Sequence, residues 1–247
     1  MVTNLAYFFE TAKKVRGGKW VWVKDSNGEN RNNILLGGTI ANPNKGFGHL
    51  WAAQLMQYTP GEPILIFRSF KLSADASANA TTIYVDGDGY SDVPEVGQYL
   101  MVAPDSLKVV TMSADTTSGD VTTTETDYTG TYAKVTGVEY DATNERFEVT
   151  LQNKLSSSKI DAGTILVEAD KDADTGSTGS APVLCPKPNI FNEADRDMLP
   201  TEGYGIQNAN YSVSGVYNKQ AWIAKMQPLP KYVLALNKSL IDGIFWI

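Results

Sequence analysis

The sequence predicts a mainly β protein: a β-rich α+β fold in which segments from both ends form a mixed base and a small β-barrel or β-sandwich is inserted between them. Three observations lead there. Short runs of alternating or β-branched residues recur through residues 71–182, separated by turn-forming residues. Trp and Phe avoid that stretch, since all five Trp and seven of the eight Phe lie outside it. Charge divides at the same places: residues 71–182 hold 19 acidic and 7 basic side chains, net -12, while the flanks hold 9 and 14, net +5, giving a formal total of -7.

The first flank, residues 1–70, mixes element types. Leu5, Phe8, Phe9, Ala12 and Val15 recur at helical spacing, Lys13, Lys14 and Arg16 suit a helix C-terminus, and Gly17 and Gly18 can end it. Lys19 to Lys24, KWVWVK, alternates as a strand with Trp20 and Trp22 on one face, before a turn over Asp25, Ser26, Asn27 and Gly28. Ile34 to Leu36 reads as a second strand. Beyond Asn42, Pro43 and Gly46, the stretch Leu50 to Gln57 reads as a short helix, and Pro60, Gly61 and Pro63 punctuate before a strand from Ile64 to Phe70.

The middle part, residues 71–182, offers strands at Thr81 to Val85, Gln98 to Ala103, Ala133 to Tyr140, Arg146 to Leu151 and Thr164 to Ala169. The third and fourth form the best hairpin, joined by Asp141, Ala142, Thr143 and Asn144. Thr111 to Thr131 carries nine Thr in 21 residues, which fits a long exposed β-excursion or mobile loop better than a core strand. Asp170 to Ala181 reads as a Gly/Ser/Asp linker. In the last part, residues 183–247, Tyr211 to Tyr217 and Ala221 to Met226 read as strands, and Lys231 to Asp242 as a short helix closed by Gly243. The ending Ile244, Phe245, Trp246, Ile247 is apolar, whereas termini are usually polar and frayed, so the expectation is that it completes a sheet or inserts into a neighbour.

Composition limits the chemistry. One Cys and one His rule out an internal disulfide and a four-ligand Cys/His zinc site. Net acidity argues against a nucleic-acid partner, and no run approaches the roughly 20 apolar residues of a membrane span. Met1 to Glu10 lacks the pattern of a secretion signal, so the sequons at Asn79, Asn210 and Asn237 read as chance matches. Cys185, between Leu184 and Pro186, reads as a packed thiol, and His49, near Phe47 and Trp51, as a structural imidazole.

Asp86, Asp88 and Asp92, and separately Asp170, Asp172 and Asp174, invite a calcium reading but miss the EF-hand pattern, which needs Gly at position six and an acid at twelve. They read as acidic turns. Neither phosphate-cradle glycine motif nor a G-x-S-x-G elbow occurs, and no carboxylate pair stands out for glycoside hydrolysis. No enzyme and no cofactor is therefore expected. Tyr84, Tyr99 and Tyr140 fall in strands and are expected to fill the β-domain, whereas Tyr90, Tyr128 and Tyr132 read as surface residues able to stack on a ligand.

A family resemblance adds to this. SADASANATTIYVDGDG, PEVGQYLMVAP and VTGVEYDATNERFEVTL resemble small β-domains of tailed-bacteriophage virion proteins. LPKYVLALNKSLIDGIFWI is similar in character to chains whose termini interlock in a capsid lattice. The resemblance is to auxiliary or decoration proteins on the phage head, the crAss-like group among them, and covers about a third of the chain without a diagnostic motif. It implies a structural virion protein on the capsid surface, assembled in the host cytoplasm. The partners implied are the major capsid protein or other virion proteins. The alternative is a head-fibre or tail adhesin module that binds a host glycan. Because Trp, Tyr and Arg dominate binding energy at interfaces, the residues expected to dock are Trp20, Trp22, Trp51, Trp222, Phe245, Trp246 and Ile247. Their abundance also predicts a homo-oligomer, with a trimer as the expected order.

Overall fold

The computed structural model describes residues 33–36, 49–50, 54–62, 64–87, 92–114, 118, 120–171, 179–192, 196–197, 213–216 and 226–236. In chain order the strands are β1 (Asn33–Leu36), β2 (His49–Leu50), β3 (Leu55–Gln57), β4 (Leu65–Ile66), β5 (Ser69–Lys71), β6 (Thr82–Asp86), β7 (Tyr99–Val102) and β8 (Lys108–Ala114). They continue as β9 (Val121–Asp127), β10 (Gly130–Asp141), β11 (Arg146–Leu151), β12 (Ile165–Glu168), β13 (Ser180–Ala181), β14 (Ile190–Asn192), β15 (Arg196–Asp197) and β16 (Val213–Val216). One short helix is described, α1 (Lys231–Leu236). The described fold is mainly β and its sheets are antiparallel. No described helix is long and apolar enough to cross a membrane.

The largest sheet runs β5-β12-β7-β10-β11-β6, with β13 also paired to the start of β10. Alternation along its strands sorts the core onto two faces. Leu100, Ala133, Val135 and Leu166 face one way and pack with Phe70, Ile83, Val85, Phe147, Val149 and Leu151. Tyr99, Met101, Tyr132 and Val167 face the other way and pack with Leu55, Phe67, Cys185, Met226, Tyr232 and Val233 from outside the middle part. Burial on both faces explains why β7 and β12 read as nearly continuous apolar runs. Strand β10 spans both halves of the sheet: its first residues pair with β7 and β13 and its last with β11, and the register shifts between Val135 and Gly137. Such an irregularity bends a strand and lets it serve two neighbours.

The predicted hairpin is present as β10 and β11, with Asp141 opposite Arg146. Asp141 organises the turn: its carboxylate accepts from the backbone N–H of Thr143 and Asn144 (3.1 and 3.2 Å), from Asn144 Nδ2 (2.6 Å) and from Arg146 Nε (3.2 Å). The barrel expectation needs correction. The outer strands β5 and β6 meet at a single bridge between Leu72 and Val85, supported by the Ser73 N–H donating to Tyr84 O at 2.9 Å. Closure requires a continuous ladder with a matched stagger, and three-residue β5 is too short to supply one, so the sheet stays open.

A second sheet runs β1-β16-β14-β3-β4 and draws its strands from both flanks. Its strand β3 overturns the helix expected over Leu50 to Gln57. Leu55 and Met56 are each buried, on opposite faces, and β3 is paired to both β14 and β4. Two-sided pairing outweighs a local helix preference of a few tenths of a kcal/mol per residue. Helix α1 follows Pro228 and Pro230, and the N–H groups of Val233 and Leu234 close its first turn on Pro230 O. It buries Tyr232 edge-on to Phe67 at 6.4 Å. The strands expected at Lys19 to Lys24 and most of Ala221 to Met226, and the helix expected near the start, fall outside the described residues.

Candidate interaction surface

Strands β8 and β9 form a separate two-stranded ladder, in register from Lys108 opposite Asp127 to Ala114 opposite Val121. The alternating, β-branched run KVVTMSA suits an extended chain, and VTTTETD matches it in length. Every residue of both strands is exposed. The arm has two unlike faces. One carries Val110, Met112, Ala114 and Val121, beside Glu125 and the Lys108–Asp127 ion pair of 2.6 Å at its base. Val110, Met112 and Val121 are 54%, 75% and 63% exposed there, an apolar tip in open water. The other face carries Val109, Thr111, Ser113, Thr122, Thr124 and Thr126, and Thr111 Oγ1 donates to Thr124 O.

Apart from the arm, a polar cluster fastens distant chain segments. The Asp92 carboxylate accepts from Gln54 Nε2 (3.2 and 3.4 Å) and from the Ser69 N–H (3.2 Å), while Gln227 Nε2 donates to Phe67 O at 2.9 Å. Gln98 Nε2 donates to Glu168 Oε1 at 3.0 Å, and Gln98 Oε1 accepts from the Glu95 N–H. Arg68 is fully buried among these acids. Burial pushes the Glu95 carboxyl up to about 7; the Arg68 charge opposes this, and the Glu168 and Asp92 charges reinforce it. Structural ion networks shift pKa in this way as readily as active sites do. Here the hydrogen bonds link residues 54, 69, 92, 98, 168 and 227 across the sheet, the arrangement of a fastening.

The other candidates separate. Tyr132 is not a surface residue: it is buried edge-on to Tyr99 at 5.7 Å, because the start of β10 turns that face toward the flanks. Tyr128 is half-buried against the same core, and Tyr90 lies outside the described residues. Asp86 pairs with Lys71 at 2.9 Å, Asp92 belongs to the buried cluster, and Asp88, Asp172 and Asp174 lie outside the described residues. Among the described residues, no group of three or more His, Cys, Asp or Glu could hold a metal ion. Burial and the Glu168 charge hold the Cys185 thiol well above its ordinary pKa, so it is a poor nucleophile. His49 lies in β2, whose backbone pairs with β15 at Asp197. The docking residues Trp20, Trp22, Trp51, Trp222, Phe245, Trp246 and Ile247 all lie outside the described residues.

The Thr-rich pattern points to an exposed excursion here, but neither to its start at Lys108 nor to its pairing from Lys108–Asp127 to Ala114–Val121. The available signal was two seven-residue runs of high β propensity flanking the polar stretch Asp115 to Asp120. The Arg68 cluster left no signal, because its members lie up to 173 positions apart, from Gln54 to Gln227. No protein-family model matches the chain, and no curated protein or solved structure matches it significantly.

Proposed function

We propose that this chain is a structural virion protein, an auxiliary or decoration protein that binds and stabilises the capsid surface of a tailed phage. Residues 1–70 and 183–247 act as its docking base, and residues 71–182 as an inserted, projecting β part. It works by packing and display, without catalysis or cofactor, and its partners are the major capsid protein and further copies of itself. The observation that carries this reading is the β8–β9 arm, solvated on both faces while the neighbouring sheet is packed on both of its own. A lone two-stranded ladder is marginally stable in water, so such an arm gains from a surface outside its own chain. The phage head enters through the sequence likeness alone.

Cryo-electron microscopy of purified particles tests the reading. The expected result is many lattice-ordered copies on the shell, and loss of assembly when Phe245, Trp246 and Ile247 are removed. A few copies at the tail, or specific glycan binding by the full chain, would replace this reading with the adhesin.

A further inference from the structure

We infer that the outer edge of β8 pairs with β8 of a second copy of this chain, antiparallel and two-fold about Thr111. The inference goes beyond the virion reading and does not depend on it. It starts from which backbone groups the hairpin leaves over. The Tyr128 N–H donates to Leu107 O at 2.8 Å, just below the ladder. Hydrogen-bonded and non-hydrogen-bonded pairs alternate in an antiparallel ladder, so Val109, Thr111 and Ser113 bond inward to β9. Val110, Met112 and Ala114 therefore direct their N–H and C=O groups outward, as does the Lys108 C=O, while the Lys108 N–H donates to Ser106 Oγ at 3.2 Å. Among the described residues β8 pairs with β9 alone.

The two edges of the arm differ in charge. The outward residues of β9 are Val121, Thr123, Glu125 and Asp127, so carboxylates guard that side. Those of β8 carry one charge, Lys108, at the base; residues 109–114 are uncharged and contain neither Pro nor Gly. Natural sheets protect free edges with charge, Pro or bulges, and an unprotected edge of this kind is a pairing site. Pairing two β9 edges would crowd four carboxylates into one narrow strip. Two β8 edges are self-complementary instead.

The register follows from the geometry. A two-fold through Thr111 sets Val110 opposite Met112 of the second copy, and Lys108 opposite Ala114 of the second copy. The Val110–Met112 pairs bring outward N–H and C=O groups together, the Ala114 N–H meets the Lys108 C=O while the Lys108 N–H stays on Ser106 Oγ, and no like charges face each other. The exposed Val110 and Met112 side chains of both copies then form one apolar strip across a four-stranded sheet.

Cysteine cross-linking of the full chain tests this register. The two-fold makes Thr111 its own neighbour in a non-hydrogen-bonded pair, about 4.5 Å between Cα atoms, within reach of a disulfide. Cys185 is buried and does not compete. Thr111→Cys is expected to give a disulfide-linked dimer under mild oxidation, whereas Thr124→Cys, about 14 Å from its counterpart across three strand spacings, gives little. The double variant Val110→Lys with Met112→Lys, which alters only exposed positions, is expected to halve the mass of any dimer seen by light scattering. Equal cross-linking at 111 and 124, no cross-linking at 111, or a dimer unchanged by the two lysines overturns the inference. Capsid association retained without the Thr111 cross-link sinks this inference alone, and the cross-link retained without capsid association sinks the virion reading alone.

Discussion

Replacing Glu95 by Gln removes a carboxyl whose folded-state pKa is raised into the neutral range. In the fold it ionises at about 7 instead of 4.5, chiefly because burial penalises its charge, with Glu168 and Asp92 adding repulsion and Arg68 partly offsetting both. Below pH 4.5 the group is protonated in both states and linkage contributes nothing. As pH rises from 4.5 through 7 the unfolded chain releases the proton and the folded chain keeps it, so stability falls and then levels off. A shift of this size corresponds to about 3 kcal/mol at the plateau, and the half-buried position of the side chain lowers the expected loss to about 2 kcal/mol. Gln keeps the shape and the neutral charge at every pH. Urea unfolding monitored by fluorescence at pH 5 and pH 8 therefore has a definite expectation: the variant gains about 2 kcal/mol relative to the parent between the two conditions. Parallel pH profiles for parent and variant would refute the buried-cluster argument.

Three further outcomes are expected. Gly87→Ala sets a Cβ 2.6 Å from the backbone carbonyl of Glu145, a residue itself held at φ 50, so the turn cannot yield easily and unfolding free energy drops by about 2 kcal/mol in denaturant titration. Phe147→Ala removes a ring 2% exposed at the centre of the first core face and costs about 3 to 5 kcal/mol, read as a lower thermal midpoint. Cys185 is expected to resist a thiol reagent at pH 8 in the native chain and to react fully in urea, which mass spectrometry distinguishes; rapid native labelling would contradict its burial.

The strands that were legible share one property: their pattern is local. Arg146 to Leu151 alternates outward and inward along its whole length, and β11 has those bounds. Asp141 announces its turn because a short carboxylate can accept from the amides two and three residues further on, here Thr143 and Asn144. Leu50 to Gln57 misled because its residues suit a helix in isolation, and partners at Ile190 and Ile66, more than 120 and about 10 positions away, impose the strand. Tyr132 misled for a related reason. Its alternation was visible, but which face meets water depends on whether Tyr232, Val233 and Cys185 come to cover it.

By itself, then, the sequence determined the mainly β class, most strand positions, the core hairpin and the exposed character of the Thr-rich excursion, since period-two patterning and turn chemistry act over a few residues. Only the tertiary structure decided that the large sheet stays open, that its second face is covered by the flanks, and that Arg68 lies among Asp92, Glu95 and Glu168. Those outcomes depend on contacts between distant segments. Burial and desolvation arise from the final packing, so a residue's own neighbours in sequence do not encode them.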